Sequence, residues 1–582
     1  MNKYEQLSFE RKQLQKNNEA PEWMSTAGYQ LLKGKGYLCY GEKPLHMYKR
    51  IAKRAGELMN VPVPSDVRSA YNNDDWEHIF FTSMWEGWLS PSSTVLSNMG
   101  TDRGHPVSCS GSTVKDKIVS FFDTRKEMAV LTKNGYGVST CLDPISPRGT
   151  KISHGGVSKG SMLYAEGVVK DMKEISQGGI RDGSCGIYMN ILHQDFDEIK
   201  DQIMADDFGW NIGWNITKEF DELVEKDFEE ANRRWKNVLK TKMVKGKGYL
   251  FFHEKVNKAN PQCYKDKGFE VKHSNLCSEI TLYNDDKHSF ICTLSSINIS
   301  KYNEWKEFPL FKVGSAFLDA VTEDMIIKSK DDKELSRVYN FAVKSRAIGL
   351  GVLGLSTYYQ QNMWVFGSME SMNFNNYIFG RMDDETLVMS KYLAKHLGEP
   401  EWLEGYGERW THRIALPPTM STSLILGGVS QGIEPVYCNV FEQDTAGGMV
   451  YRINPVLLKL MKERGVYNEQ IMERIANNQG SVFEEDWLTD DEKEVFRTAF
   501  EINQEIILIM ASQRQAKIDK TGGGQSQSLN FYFPKDVIEE YVSKIHWKAY
   551  KDPNIKSLYY VRTLNEEQTI SVPQQNCVVC EG

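Results

Sequence analysis

The 582-residue chain has no long apolar run, few cysteines and no excess of positive charge. Its most apolar stretch, IILIMA at 506–511, falls far short of the roughly 20 residues that span a bilayer. The N-terminus, MNKYEQLSFERKQLQK, is charged from its third residue and lacks the apolar segment of a secretory signal, so the expected location is the cytoplasm, with no membrane partner. Lys and Arg number 70 against 78 Asp and Glu, a net charge of -8. That balance argues against a nucleic-acid partner, because backbone binding needs concentrated positive charge, although local anion pockets stay open. Ten irregularly spaced cysteines exclude a secreted disulfide framework and point to reduced thiols. Only Cys577 and Cys580 have C-x-x-C spacing, and nothing else completes a four-ligand zinc site. A redox pair on a polar tail is the preferred reading, ahead of a zinc site or a chance pair. The four short glycine clusters include neither a dinucleotide fingerprint nor a phosphate loop with its Gly-Lys pair.

With 40% hydrophobic and 25% charged residues, the chain can bury a large core. Residues 1–75 read as a helical region, with LHMYKRIAKRAGELM as one amphipathic period ended by the prolines of NVPVPSD. Farther on, β-prone runs (YGVST, CGIYMNIL, GYLFFHE, ICTLSSINI) alternate with helical stretches such as 160–175 and 215–240, which predicts an α/β fold with a buried, mostly parallel sheet or barrel over 76–564. One late helix is expected from LTDDEKEVF onward: Thr489 and Glu492 have capping-box spacing, and Phe496, Phe500, Ile506 and Met510 supply its apolar positions. Residues 565–582 read as a flexible tail.

Two segments carry chemistry. In SNLCSEI, Asn275, Cys277 and Glu279 stand two residues apart, a spacing that puts all three on one side of an extended loop. In PPTMSTSLILGGVSQGIEP, 417–435, Thr419, Ser421, Thr422 and Ser423 follow a proline pair, a suitable lysine-free cradle for phosphate.

Taken in order, SNLCSEI, ICTLSSINIS, SRAIGLGVLGL, PPTMSTSLILGGVSQGIEP, GQSQSLNFYF, SLYYVRT and a terminal CVVC resemble the motif series of the large, catalytic (alpha) subunit of class I ribonucleotide reductase. The resemblance runs from about residue 20 to the end. It implies a ten-stranded α/β barrel whose central finger loop presents Cys277 as a thiyl radical that removes the substrate's 3′-hydrogen. Glu279 would act as general base on the 3′-hydroxyl and Asn275 would bind the sugar. Cys109 and Cys292 match the reducing thiol pair, and Cys577 with Cys580 the tail pair that re-reduces them through thioredoxin or glutaredoxin. Tyr559 and Tyr560 match a relay that brings the oxidising equivalent from a radical-generating, metal-containing small (beta) subunit, so no cofactor or metal is expected in this chain. Ser92, Ser93 and Ser108 match positions at the substrate's base and phosphate end, and Thr419, Ser421, Thr422 and Ser423 its diphosphate site. Asp116, Arg148 and Arg181 match positions for a nucleotide effector, with Arg148 in a segment shifted by about one residue from the usual pattern. The first reducing cysteine, at 109, leaves no room for an ATP-cone, so no activity switch of that kind is expected. The substrate would be a ribonucleoside diphosphate and the assembly a homodimer. A cobalamin-dependent reductase would have no use for the tyrosine pair, and a non-catalytic nucleotide-binding subunit would need none of the five cysteines.

Overall fold

A computed structural model describes residues 3–153, 155–175, 183–205, 211–445 and 448–564. Five strands, Cys109–Ser112, Gly137–Cys141, Cys185–Asn190, Asn211–Ile216 and Tyr249–Phe252, pair in parallel in chain order. They are buried almost throughout, as strands covered by crossover helices must be. A second set runs Phe290–Cys292, continuing through Thr293 into Leu294–Asn298, then Gly349–Leu353, Ile414–Leu416 and Gly524–Gln527, again in parallel. Ser557–Leu558 completes it. The two sets meet antiparallel at both edges: Cys109–Ser112 against Phe290–Cys292, and Tyr249–Phe252 against Ser557–Leu558. With 290–298 counted as one strand, five and five make the ten-stranded α/β barrel.

The ring closes between Gly524–Gln527 and Ser557–Leu558 through side chains. Ser526 Oγ meets Ser557 Oγ at 2.7 Å, and Lys556 Nζ donates to the carbonyls of Gly524 (3.1 Å) and Gln525 (2.9 Å).

Among the described residues six helices, Lys3–Lys16, Thr26–Gly34, Pro44–Leu58, Ser65–Tyr71, Trp76–Trp85 and Ser93–Asn98, precede the first barrel strand. The helical run thus reaches past residue 75, and its apolar faces join the same core as the barrel. The late helix is two helices. Asp490–Val495 carries the expected capping box, but it stops at Phe496, and a new helix, Gln504–Ile518, starts from Asn503, whose side chain accepts from Glu505 N. Phe496 serves a small separate core with Val440, Leu457 and Ile475. The apolar spacing across 496–510 therefore belongs to two packing surfaces rather than one helical face.

Residues 273–284 lie inside the barrel without forming a regular strand. Glycines on the wall make room for them. A Cβ at Gly111 would sit 2.1 Å from the Phe290 ring and 2.9 Å from His273, and one at Gly186 would sit 3.2 Å from Leu276. A Cβ at Gly213 would sit 2.2 Å from the ring of Tyr188, whose hydroxyl donates to the Asn275 carbonyl at 2.6 Å. Gly213→Val is therefore expected to displace Tyr188 and to destabilise the protein by about 1–3 kcal/mol, read as a lower urea midpoint, because a close-packed wall has no space for the added groups. An unchanged midpoint would show that the wall yields.

Candidate active site

The central loop turns at Cys277. Ser278 N donates to the Asn275 carbonyl at 3.4 Å, and Ser278 takes a left-handed conformation (φ 63) that only a shaped turn imposes on a residue with a Cβ. This corrects the extended loop expected from the two-residue spacing: the turn, and not alternation along a strand, brings the side chains of Asn275 and Glu279 together. Asn275 Nδ2 donates to Glu279 Oε1 at 3.0 Å and reaches the Cys109 sulfur at 3.5 Å, while Asn275 Oδ1 accepts from Ile280 N at 3.3 Å. Cys277, Asn275 and Glu279 are all buried.

Cys109 and Cys292 are direct partners in the antiparallel register that joins the two barrel halves, and both are free thiols. Burial above all, then contact with the Cys109 thiol, pushes the Cys292 thiol well above its usual range. Glu279 is likewise raised, to about 7, by burial, against the opposing hydrogen bonds of Asn275 and Ser528. The site therefore holds a protonated Cys292 thiol, its partner Cys109 and a carboxyl poised near neutrality around one central thiol.

Tyr559 and Tyr560 are in direct ring contact, with centroids 4.0 Å apart and ring planes tilted by 46° rather than stacked. They do not alternate across a sheet because the strand breaks at them: Ser557–Leu558 belongs to the barrel, whereas Val561–Thr563 pairs with Phe531–Phe533. Tyr559 is buried, and Cys277 lies within its electrostatic reach. Tyr560 is partly exposed, with the Arg562 guanidinium 4.8 Å over its ring. A third tyrosine joins them. Tyr249 packs on Tyr559 at 5.0 Å and on Tyr560 at 5.4 Å, and its hydroxyl donates to that of Tyr560 at 3.1 Å.

The model of the ribonucleotide reductase barrel domain matches residues 107–207, 200–405 and 400–561. The fold is similar to a solved class Id ribonucleotide reductase alpha subunit of Actinobacillus ureae, with a TM-score of 0.83 at 35% identity over 94% of this chain and 98% of that one. The chain belongs to the class I ribonucleotide reductase large-subunit family. Curated relatives include a ribonucleoside-diphosphate reductase large subunit of Caenorhabditis elegans, 26% identical over 89% of this chain and 74% of the relative. Another, of Invertebrate iridescent virus 3, is 32% identical over 61% of this chain, a match that spans only 58% of that protein.

Around this reductase core the other expected residues fall into two groups. Ser92, Thr94 and Ser108 form a buried chain of hydroxyls, with contacts of 3.2 and 2.9 Å, ending beside Cys109; Ser93 is buried next to them. The segment after Ile414–Leu416 turns through Thr419, itself left-handed (φ 51), into the short helix Met420–Ile425. The Thr419 hydroxyl accepts from Gly432 N at 2.7 Å, and those of Thr422 and Ser423 donate to the carbonyls of Thr419 and Met420, so these three brace the turn; Ser421 is buried beside them. This segment joins the loop through Ser528, whose N donates to the Leu416 carbonyl and whose Oγ donates to the Cys277 carbonyl at 2.7 Å and to Glu279 Oε2 at 3.2 Å.

Asp116 and Arg148 lie apart from that centre. Asp116 accepts from the Ser146 hydroxyl, and Arg148 is taken up by both carboxylate oxygens of Glu198, one of them at 3.0 Å. Arg181, Cys577 and Cys580 lie outside the described residues. Among the described residues no cluster of three or more His, Cys, Asp or Glu is placed to hold a metal ion, and no helix is long and apolar enough to cross a membrane. Sequence reasoning missed Tyr249, Tyr188 and Ser528. Only Ser528 left a signal, as a hydroxyl in the polar run GQSQS of an otherwise buried segment.

The Glu279 carboxyl sets a stability signature. An unfolded glutamate ionises near 4.3. Between there and about 7 the unfolded chain releases a proton that the folded chain retains, so stability contributed by the neutral acid is lost as pH rises through that window. Glu279→Gln, which cannot ionise, is expected to gain stability relative to the parent between pH 4.5 and pH 8 in urea titrations. A difference that stays constant would show that the carboxyl is not shifted.

Proposed function

We propose that the chain is the catalytic subunit of a ribonucleoside-diphosphate reductase and exchanges the 2′-hydroxyl of its substrate for hydrogen. The observation that carries this reading is the convergence of Cys277 with the Cys109–Cys292 pair on one side and the contacting rings of Tyr559 and Tyr560 on the other. An oxidising equivalent supplied by a radical-generating, metal-containing small subunit enters at the partly exposed Tyr560, passes to Tyr559, and leaves Cys277 as a thiyl radical. That radical takes the 3′-hydrogen while Glu279 accepts the 3′-hydroxyl proton and Asn275 holds the sugar. The 2′-oxygen departs as water, protonated by one thiol of Cys109 and Cys292. The pair supplies two electrons and two protons in all and becomes a disulfide, and Cys277 returns the hydrogen to C3′. A Cys292 thiol held protonated by burial suits this step, which consumes hydrogen rather than thiolate.

The hydroxyl chain of Ser92 and Ser108, with Ser93, faces the substrate's base and phosphate end, and Thr419 through Ser423 shape its diphosphate site. Cys577 and Cys580 reduce the disulfide and are themselves reduced by a thioredoxin or glutaredoxin. A homodimer is supported by Ile118, Val119 and Phe122, exposed at 67%, 66% and 61% on the helix Ile118–Lys133, with Leu163 on the neighbouring helix Ser161–Glu174. A nucleotide effector would be bound by Asp116, Arg148 and Arg181.

The test is reduction of cytidine diphosphate by the purified chain with a class I small subunit from the same source and dithiothreitol. Cys277→Ser and Tyr560→Phe are each expected to abolish turnover. Glu279→Gln should lower kcat about 10²–10⁴-fold and remove a rise of rate with pH near 7. Turnover that survives Tyr560→Phe, or that needs no partner, would overturn the relay.

A further inference from the structure

The break in the strand at Tyr559 and Tyr560 leaves main-chain groups without ladder partners. Two are answered by backbone: Tyr559 N donates to Leu529 O at 2.8 Å, and Tyr560 O accepts from Phe531 N at 3.1 Å. The other two are answered by side chains. Tyr560 N donates to Asn530 Oδ1 at 2.9 Å, and Tyr559 O accepts from the ammonium of Lys242. Lys242 is almost fully buried in the last turns of the helix Glu229–Lys245, and its Nζ also donates to Gly248 O at 3.0 Å. No ion pair joins it to a carboxylate among the described residues, and burial alone lowers its pKa, to about 7. The same chain segment reaches the break a second time, since Val561 N donates to Gly246 O at 3.2 Å. His546, on the helix Glu539–Lys551, feels the Lys242 charge and is held neutral first by burial and then by that charge.

An unpaired ammonium is costly to bury, and a methionine would occupy the same length of space without that cost. What the lysine adds is a donor at the one carbonyl that the break leaves open. We propose that Lys242 is a positioning residue for radical transfer, clamping the Tyr559 carbonyl so that the broken strand keeps the two tyrosine rings in contact. The proposal rests on the relay reading above.

The test substitutes 3-aminotyrosine, which is easier to oxidise than tyrosine, at position 559 or 560 of the full chain. The radical formed on mixing with the small subunit and substrate is followed by electron paramagnetic resonance. In Lys242→Met, the initial rate of trapping at 560 should stay within twofold of the parent, whereas trapping at 559 and cytidine diphosphate turnover should each fall at least tenfold, with substrate Kd unchanged. Lys242→Gln, which keeps a neutral donor, should fall between the two. Trapping at 559 and turnover within twofold of the parent would overturn the proposal. Loss of folding in both variants would also overturn it, in favour of a purely structural lysine. Failure of the relay itself would look different: aminotyrosine would trap no radical at either position with Lys242 intact.

Discussion

A polar loop threaded through a barrel needs every buried main-chain group answered from the wall, and the rest of the site follows from that requirement. The wall answers with hydroxyls and amides. Tyr188 donates to the Asn275 carbonyl, Ser528 to that of Cys277 and Ser557 to that of Ser278, while Gln525 accepts from Thr281 N and Ser526 N donates to the Glu279 carbonyl. Ser274 bonds back to the Ile280 carbonyl within the loop. Each of these contacts restricts the turn at Cys277, so the position of one sulfur is set by residues on several strands. The barrel strands that face the loop are rich in serine and glutamine for this reason, where a barrel filled by its own side chains would carry Val, Ile and Leu.

The same geometry explains why the thiols come in a pair. Cys109 and Cys292 face each other because the two parallel half-barrels must meet antiparallel somewhere, and the register of that seam sets them opposite one another. At the other seam the last barrel strand has only two residues before the chain passes to a different sheet, and the tyrosines occupy the crossing. The two features that flank Cys277 are thus the two edges at which the half-barrels join.

Much of this was legible in the sequence, and what was not has a physical pattern. The alternation of β-prone and helical runs announced the α/β class, and Pro44–Leu58 and Ser161–Glu174 lie where periodicity placed them. The capping box at Thr489 formed as spaced, yet the helix it opens ends at Phe496, because apolar spacing cannot say which of two cores a residue will join. Ordered motifs pointed to Cys109, Cys277, Cys292, Asn275, Glu279 and the tyrosine pair, which the fold brings together. The conformations of those residues stayed hidden, since the left-handed Ser278 and the break at Tyr559 depend on strands far away in the chain. Tyr249 and Tyr560 are 311 positions apart, and Lys242 and Tyr559 are 317. Contacts of that range leave no local trace.

Those separations also describe the chain during its synthesis. The loop at Cys277 waits for Ser528, 251 residues later, and the Ser278 carbonyl waits for Ser557, 279 residues later. At about 5–20 residues per second, the second wait is roughly 15–55 s on the ribosome. Through that interval Cys277, Cys109 and Cys292 stand outside any closed barrel, open to oxidants that the finished protein excludes. Completion of the last two-residue strand is therefore also the moment at which the thiols become protected, so a truncated or stalled chain carries the reactive sulfurs without their enclosure.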